Sequence, residues 1–409
     1  MTGRSRLTRI AGPSRRSVLR ERRFLRLWAG TTASGLATWA LPFVLGLAVL
    51  ERSFSPAGLG VVLAARTVGF LAAVPVSGVV ADRYSRRATV LWAGLTAAAA
   101  SPVMALGLGR SAALMAVAAA VSGAGQGACR PAFQALTTEV VDAARRRQAN
   151  AAITLAVRVT TLAGPAVAAL LAVLVDARGL LIGIGALWLV AALAPPAGVP
   201  APRPETDRPG FWGEFAEGVR EARRHPWFLA GLGALTAVIA TGYSATGVAL
   251  PLVSRDRYGS EAVLAGAATA YIVGAVLGAV LIARLRPRAE GWTALAGLAC
   301  YGVAPLALLL PLHPAVVIAA YVLTGIGIEL FNVPWFTAIQ REVAPGKLAR
   351  VSSLDFLLSY GLAPLGLALI APAMGAFGPG PVLGACAVVC FAAPAAAALA
   401  PGSRHFSVR

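Results

Sequence analysis

Apolar runs of about 20 residues, the length an α-helix needs to cross a bilayer, recur along this chain between short segments rich in arginine, proline and glycine. The first runs from about Phe24 to Leu50. Others are predicted near residues 57–81, 88–108, 112–135, 150–174, 179–196, 227–254, 261–285, 291–311, 315–340, 351–373 and 382–400, which makes twelve spanning helices. Between the sixth and seventh runs the chain reads PPAGVPAPRPETDRPG, too rich in proline for a helix and therefore a linker. It continues FWGEFAEGVREARR, where Phe211, Phe215 and Val219 share one helical face with Trp212 beside them, and Glu217, Arg220, Glu221 and Arg224 fall elsewhere. This second part predicts an amphipathic helix lying on the membrane surface or under the bundle.

Composition agrees with a polytopic membrane protein. Of 409 residues, 58% are hydrophobic and 13% charged, against roughly 25% charged in soluble domains. The net charge of +19 would suit nucleic acid, but the arginines fall in short clusters between apolar runs and read as topology instead. If the N-terminus is cytoplasmic, inward segments hold 28 of the 36 Lys and Arg, outward loops hold five, and Arg66, Arg130 and Arg158 lie within spans. The positive-inside rule then places both termini in the cytoplasm of a multi-pass cell-membrane protein. SRRSVLR at Ser14 to Arg20 is not an export signal, because many further spans follow it. All four cysteines lie in apolar runs without metal spacing, and the single lysine, Lys347, sits in PGKLAR, which is no phosphate-binding loop. No metal, no cofactor and no enzymatic activity are expected.

The two halves of the chain repeat. Ser122-Gly-Ala-Gly and Thr324-Gly-Ile-Gly are 202 residues apart, Pro131-Ala-Phe and Pro334-Trp-Phe 203, Glu139-Val and Glu342-Val 203, and Gly164-Pro165 and Ala363-Pro364 199. Such an offset predicts two pseudo-symmetric six-helix bundles in parallel. The expected organisation is a basic tail at 1–26, an N-terminal bundle at 27–196, a linker with its amphipathic helix at 197–226, a C-terminal bundle at 227–400 and a tail at 401–409.

The turn between the second and third runs, GVVADRYSRR, carries a recognisable pattern. Its Gly78, Ala81, Asp82, Arg83, Arg86 and Arg87 fill every position of G-x-x-A-D-R-x-x-R-[RK], and the chain thereby resembles the major facilitator superfamily of secondary transporters. FLRLWAG, Ala40-Leu41-Pro42, PAFQAL, QANA and REVAPGKLARVSSL resemble its drug/proton antiporter branch. The resemblance implies alternating access, with Gly78, Asp82, Arg83, Arg86 and Arg87 as a gating loop. It implies that Asp82 meets the N-terminus of the eleventh helix near Val351 to Asp355, where the helix dipole favours an anion, and that the loop arginines meet acids or lipid phosphate. One related motif is incomplete: Gln126-Gly127 is present on the fourth helix, but Gly123 stands where the family often places an arginine.

Ionisable residues inside spans are the remaining candidates. Glu329 lies mid-span, where a charge costs at least ~2.5 kcal/mol on the insertion scale, so it is expected either to take a proton and couple transport or to pair with Arg130 or Arg158. Asp355, a second coupling candidate, would oppose a latch at its helix end and is expected to pair with an arginine. Arg66, Arg130 and Arg158 keep their charge and, with Gln126, Asn332 and Trp335, are candidates for the cavity or the seam between halves. The function expected is proton-coupled efflux of small, partly apolar organic compounds, of the multidrug-resistance kind. The proton gradient is the driving force, the partners are a small-molecule substrate and the lipid bilayer, and the functional unit is a monomer. An uptake symporter of the same fold and a non-transporting receptor or scaffold share these features.

Overall fold

The computed structural model describes residues 17–53, 55–198, 210–260, 262–285, 287–361 and 363–407. Most of the basic tail, the proline-rich part of the linker and residues 408–409 lie outside them. The first part of the chain forms α1 (Arg22–Leu50), α2 (Pro56–Arg83), α3 (Arg86–Gly107), α4 (Ala112–Val140), α5 (Arg146–Leu171) and α6 (Ala177–Leu193). The linker helix is α7 (Phe211–Arg223). Beyond it come α8 (Pro226–Val238), a π-turn at Ile239–Tyr243, α9 (Ser244–Tyr258), α10 (Ala262–Arg284), α11 (Glu290–Ala299), a 3-10 turn at Cys300–Gly302 and α12 (Val303–Leu309). The series ends with α13 (Pro314–Glu342), α14 (Leu348–Gly361), α15 (Ala363–Phe377) and α16 (Pro379–Ala398).

Helix starts follow local chemistry. Ser55, Ser85, Ser111 and Asp176 each accept a hydrogen bond from a backbone N–H two or three residues into the next helix, which satisfies an otherwise orphaned donor and contributes about 1 kcal/mol per cap. Among the described residues, ten helices are long and apolar enough to cross a membrane, and α6 is a shorter apolar helix of 17 residues. The seventh and ninth predicted runs are each one apolar stretch, but their hydrogen-bond ladders change register at the π-turn and the 3-10 turn. Hydropathy does not register such a change. The eleventh appears as α14 and α15 on either side of residue 362.

The repeated S/T-G-x-G motifs act as close-packing joints. A Cβ on Gly123 would lie 2.0 Å from the carbonyl oxygen of Arg66 on α2, and one on Gly325 would lie 2.0 Å from that of Tyr271 on α10. Gly125 and Gly327 meet the backbones of α3 and α11 in the same way, through Ala93 and Gly297. α4 and α13 are both 29 residues long and start 202 residues apart (112 and 314). Equivalent glycines thus seat equivalent neighbours on the central helix of each half.

The expectation about the face of the linker helix changes. On α7 the face turned inward is formed by Glu214, Gly218, Glu221 and Ala222, whereas Trp212 is 77% exposed. The acids go inward because arginines and a lysine wait for them at the helix ends above. In the segment after α16, Phe406 is buried against Trp227, Phe331 and Trp335 at ring distances of 5.3, 6.4 and 5.5 Å.

Candidate functional site

The loop expected to gate is short, since α2 continues to Arg83 and α3 begins at Arg86. Gly78 lies on α2 where that helix crosses α14. A Cβ there would fall 2.5 Å from the Ser353 hydroxyl and 2.9 Å from the Ala349 carbonyl oxygen, so only glycine allows this approach. The contact brings the Asp82 carboxylate to the start of α14, where it accepts from the backbone N–H groups of Ala349 at 3.2 Å and Arg350 at 3.0 Å. The donors are thus the two residues immediately before Val351 to Asp355. Arg86 holds the other side, donating to Glu139 at 2.8 Å, to Asp82 at 3.4 Å and to the Pro345 carbonyl. Arg83 approaches Glu214 of α7 at 3.8 Å. Arg87 turns away, near enough to Arg26 for their charges to repel.

Around this latch the two halves are tied by residues that the sequence marked only as topology or motif. Arg146 donates to the Gln340 carbonyl at 2.8 Å, and Arg147 donates to the Leu285 carbonyl at 2.8 Å and pairs with Glu290. These guanidiniums meet the carbonyl ends of α13 and α10, where a helix terminus favours a cation. Asn150 donates to Thr337 at 2.9 Å and to Gln340 at 3.0 Å, and Gln340 donates to Gln134 at 3.0 Å. The PAFQAL and QANA motifs therefore contribute a polar seam. On the underside, α7 adds Glu217 to Arg350 at 2.9 Å and Glu221 to Lys347 at 3.0 Å. The signals in the sequence for these contacts were the density of charge at 139–147 and 214–224 and the PAFQAL and QANA motifs.

Deeper in the bundle, Arg158 of α5 and Glu329 of α13 form an ion pair between the halves at 2.5 Å. Glu329 is fully buried, the Arg158 side chain is 20% exposed, and Arg158 also lies 5.7 Å from the centre of the Tyr271 ring. Asn332 sits beside the carboxylate. Of the two expected partners, the one placed here is Arg158. Arg66 donates to Gln126 Oε1 at 2.7 Å and to the Thr38 carbonyl at 3.0 Å. The guanidinium near Gln126 thus comes from α2, because α4 approaches the α2 backbone too closely at Gly123 for any side chain. Arg130 lies over the rings of Phe70 and Phe356, at 5.8 and 6.0 Å.

Two placements differ from expectation. Asp355 is buried and accepts from the Trp335 indole N–H at 3.0 Å, with no arginine paired to it among the described residues. Its carboxylate meets Trp335 in the hydrophobic core instead. Trp335, expected at the cavity or seam, is fully buried and stacks on Phe228 at 5.3 Å and Phe331 at 5.2 Å. An indole needs a hydrogen-bond acceptor when buried, and Asp355 is the acceptor this packing supplies. No cluster of His, Cys, Asp and Glu that could hold a metal occurs among the described residues.

The fold resembles solved transporters at low sequence identity. The human organic anion transporter MFSD10 (TETRAN) aligns with a TM-score of 0.76 and 16% identity, covering 92% of this chain and 99% of that one. A bacterial homologue of the iron transporter ferroportin, in the outward-facing state, aligns with a TM-score of 0.72 and 16% identity over 91% of this chain and 98% of its own. The same homologue with soaked iron gives 0.71 and 16% over the same shares. No curated protein sequence matches. A family model for the Major Facilitator Superfamily matches residues 27–366, and the chain belongs to that superfamily of multi-pass membrane transporters.

Proposed function

We propose that this protein is a proton-coupled exporter of small, partly apolar organic compounds, working by alternating access as a monomer in the cell membrane with both termini cytoplasmic. The observation that carries the reading is the Arg158–Glu329 pair, which joins the halves deep in the bundle and contains a titratable carboxylate. Arg158 holds one carboxylate oxygen of Glu329, and a proton taken up by the carboxylate would cancel the charge that attracts the guanidinium. Protonation of Glu329 releases the guanidinium, so proton occupancy biases the relation between α5 and α13, and by linkage a substrate that prefers one arrangement changes the affinity for the proton. Reading α6, and α14 with α15, as crossings alongside the ten long helices gives twelve. The latch at Asp82 and the seam at Asn150 and Gln340 then close the cytoplasmic side, and the protein stands in its outward-facing state. Export as the direction is supported by the PAFQAL, QANA and REVAPGKLARVSSL motifs.

The test uses purified protein in vesicles and a compound selected by growth inhibition with and without the expressed protein. Glu329→Gln mimics the protonated form and is expected to keep downhill exchange while losing accumulation driven by a pH gradient. Joint loss of both activities with poor expression identifies a purely structural pair, since an unpaired buried guanidinium costs ~3–5 kcal/mol. Undiminished gradient-driven transport removes Glu329 from the mechanism.

A further inference from the structure

The segment after α16 folds back against the C-terminal half and is held from Ser403 to Phe406. Ser403 donates to the Ala397 carbonyl at 2.7 Å, and the Arg404 carbonyl accepts from the N–H groups of Gly291 and Trp292 at 2.9 and 3.4 Å. Those N–H groups open α11, where helix geometry leaves donors unpaired. The carbonyls of His405 and Phe406 both accept from Nη2 of Arg341, at 3.0 and 3.2 Å. Phe406 has φ 49°, a left-handed conformation that bulky residues avoid. Burial of its ring among Trp227, Phe331 and Trp335 offsets that backbone cost. Docking of the segment is therefore a balance of opposing effects.

Arg341 is where this segment meets the closure between the halves. Glu290 lies between two guanidiniums: Arg147, from the N-terminal half, holds Oε1, and Nη1 of Arg341 stands 3.7 Å from Oε2, beyond hydrogen-bond reach. The remaining Arg341 donors are occupied, Nε by Glu342 at 2.9 Å and Nη2 by the two carbonyls of the segment. A cavity of about 320 Å³ opens beside it, bounded by Arg288, Glu290, Glu342 and His405, so the guanidinium has room to turn. Once the two carbonyls leave, Nη2 needs a new acceptor, and Glu290 offers Arg341 a two-bond contact. That contact draws the carboxylate away from Arg147.

We propose that the segment after α16 is a strap that controls the closed end of the bundle. With Phe406 docked, Arg341 is held off Glu290 and leaves it to Arg147 across the seam. With Phe406 undocked, Arg341 captures Glu290 and the seam loosens. Phe406 and Arg341 are thus positioning residues, since each acts through Glu290. This rests on the reading of the bundle as an alternating-access transporter closed at the Asp82 end, and it is tested without substrate or gradient so that the two can fail separately.

Ala151 reports on the seam, because it lies one turn from Arg147 on α5 and is buried against Ile282 of α10 and Val333 of α13. In the full chain carrying Cys300→Ala in nanodiscs, Ala151→Cys is expected to react slowly with N-ethylmaleimide, and the same chain without that cysteine gives the background. Phe406→Ala is expected to raise the rate about tenfold, the loss of one charge-assisted contact, and Glu290→Gln to raise it as much. Arg341→Gln removes the competitor. Alone it is expected to keep the slow rate, and combined with Phe406→Ala to restore it, a non-additivity that packing alone does not produce. Phe406→Ala also leaves a core cavity, so Gly291→Ala supplies a second route: its Cβ would overlap the Ser403 carbonyl oxygen and undock the segment with every ring in place. The same rise and the same rescue by Arg341→Gln are expected there. A rise that persists in the Arg341→Gln background would overturn the proposal, as would an unchanged rate in Gly291→Ala or in Glu290→Gln. Rescue by Arg341→Gln in a protein without gradient-driven flux would remove only the coupled-transport reading, and coupled flux without rescue only the strap.

Discussion

At the scale of single residues, Asp82 shows how one carboxylate joins elements 267 positions apart. Its oxygens meet two orphan N–H groups at the start of α14, where helix geometry leaves donors unpaired and the dipole favours negative charge. Asp82→Asn keeps one acceptor oxygen and loses the charge. It is expected to insert at normal levels, because Gly78 and Arg86 still hold the loop, and to slow transport about tenfold by weakening a charge-assisted bond. Vesicle flux normalised to protein amount measures this, and full flux would reduce Asp82 to a turn residue. The family pattern made Asp82 legible in the sequence. The same pattern was silent on Asp355, whose acceptor role for Trp335 arises only when α13 and α14 pack.

At the scale of the element, α7 is the clearest departure from sequence logic. Hydropathy favours an apolar face inward, yet Glu214 and Glu221 are buried and Trp212 is exposed, because Arg83, Lys347 and Arg350 outweigh what Phe215 and Val219 could gain. Burial pushes the Glu221 carboxyl up, but the hydrogen bond and charge of Lys347, with the charges of Arg224 and His225, outweigh it and hold the group below its ordinary range. A depressed carboxylate contributes stability above its unfolded pKa and loses it as pH falls through the folded value. Glu221→Gln is therefore expected to lower the unfolding midpoint at neutral pH by an amount that shrinks below about pH 4. The pair is partly exposed, so the effect stays under about 1 kcal/mol and fades in high salt. A pH-independent difference would show that packing, not charge, docks α7 at this position.

At the scale of the whole molecule, the testable quantity is orientation. Cysteines introduced at Ser260 and at Gly346 occupy exposed turns at opposite ends of the bundle, and a Cβ at Gly346 meets open space. In a Cys300→Ala background, Ser260→Cys is expected to react with an impermeant maleimide on intact cells, and Gly346→Cys only after permeabilisation. The reverse pattern would invert the topology and move the Asp82 latch to the outer face.

The sequence by itself determined the helical class, the run of apolar segments, the internal repeat and the charged turn between α2 and α3. Each is a property of neighbouring residues or of a fixed offset: bilayer thickness sets run length, close packing keeps glycines at corresponding positions, and a capped or charged turn stops a helix wherever it falls. The tertiary structure alone decided which charges meet. Arg158 and Glu329 are 171 positions apart, and the chain contained two other intramembrane arginines that could have taken the same carboxylate. That choice depends on how α5 and α13 cross, and a crossing geometry follows from the packing of the whole bundle, which no local pattern of hydrophobic and polar residues encodes.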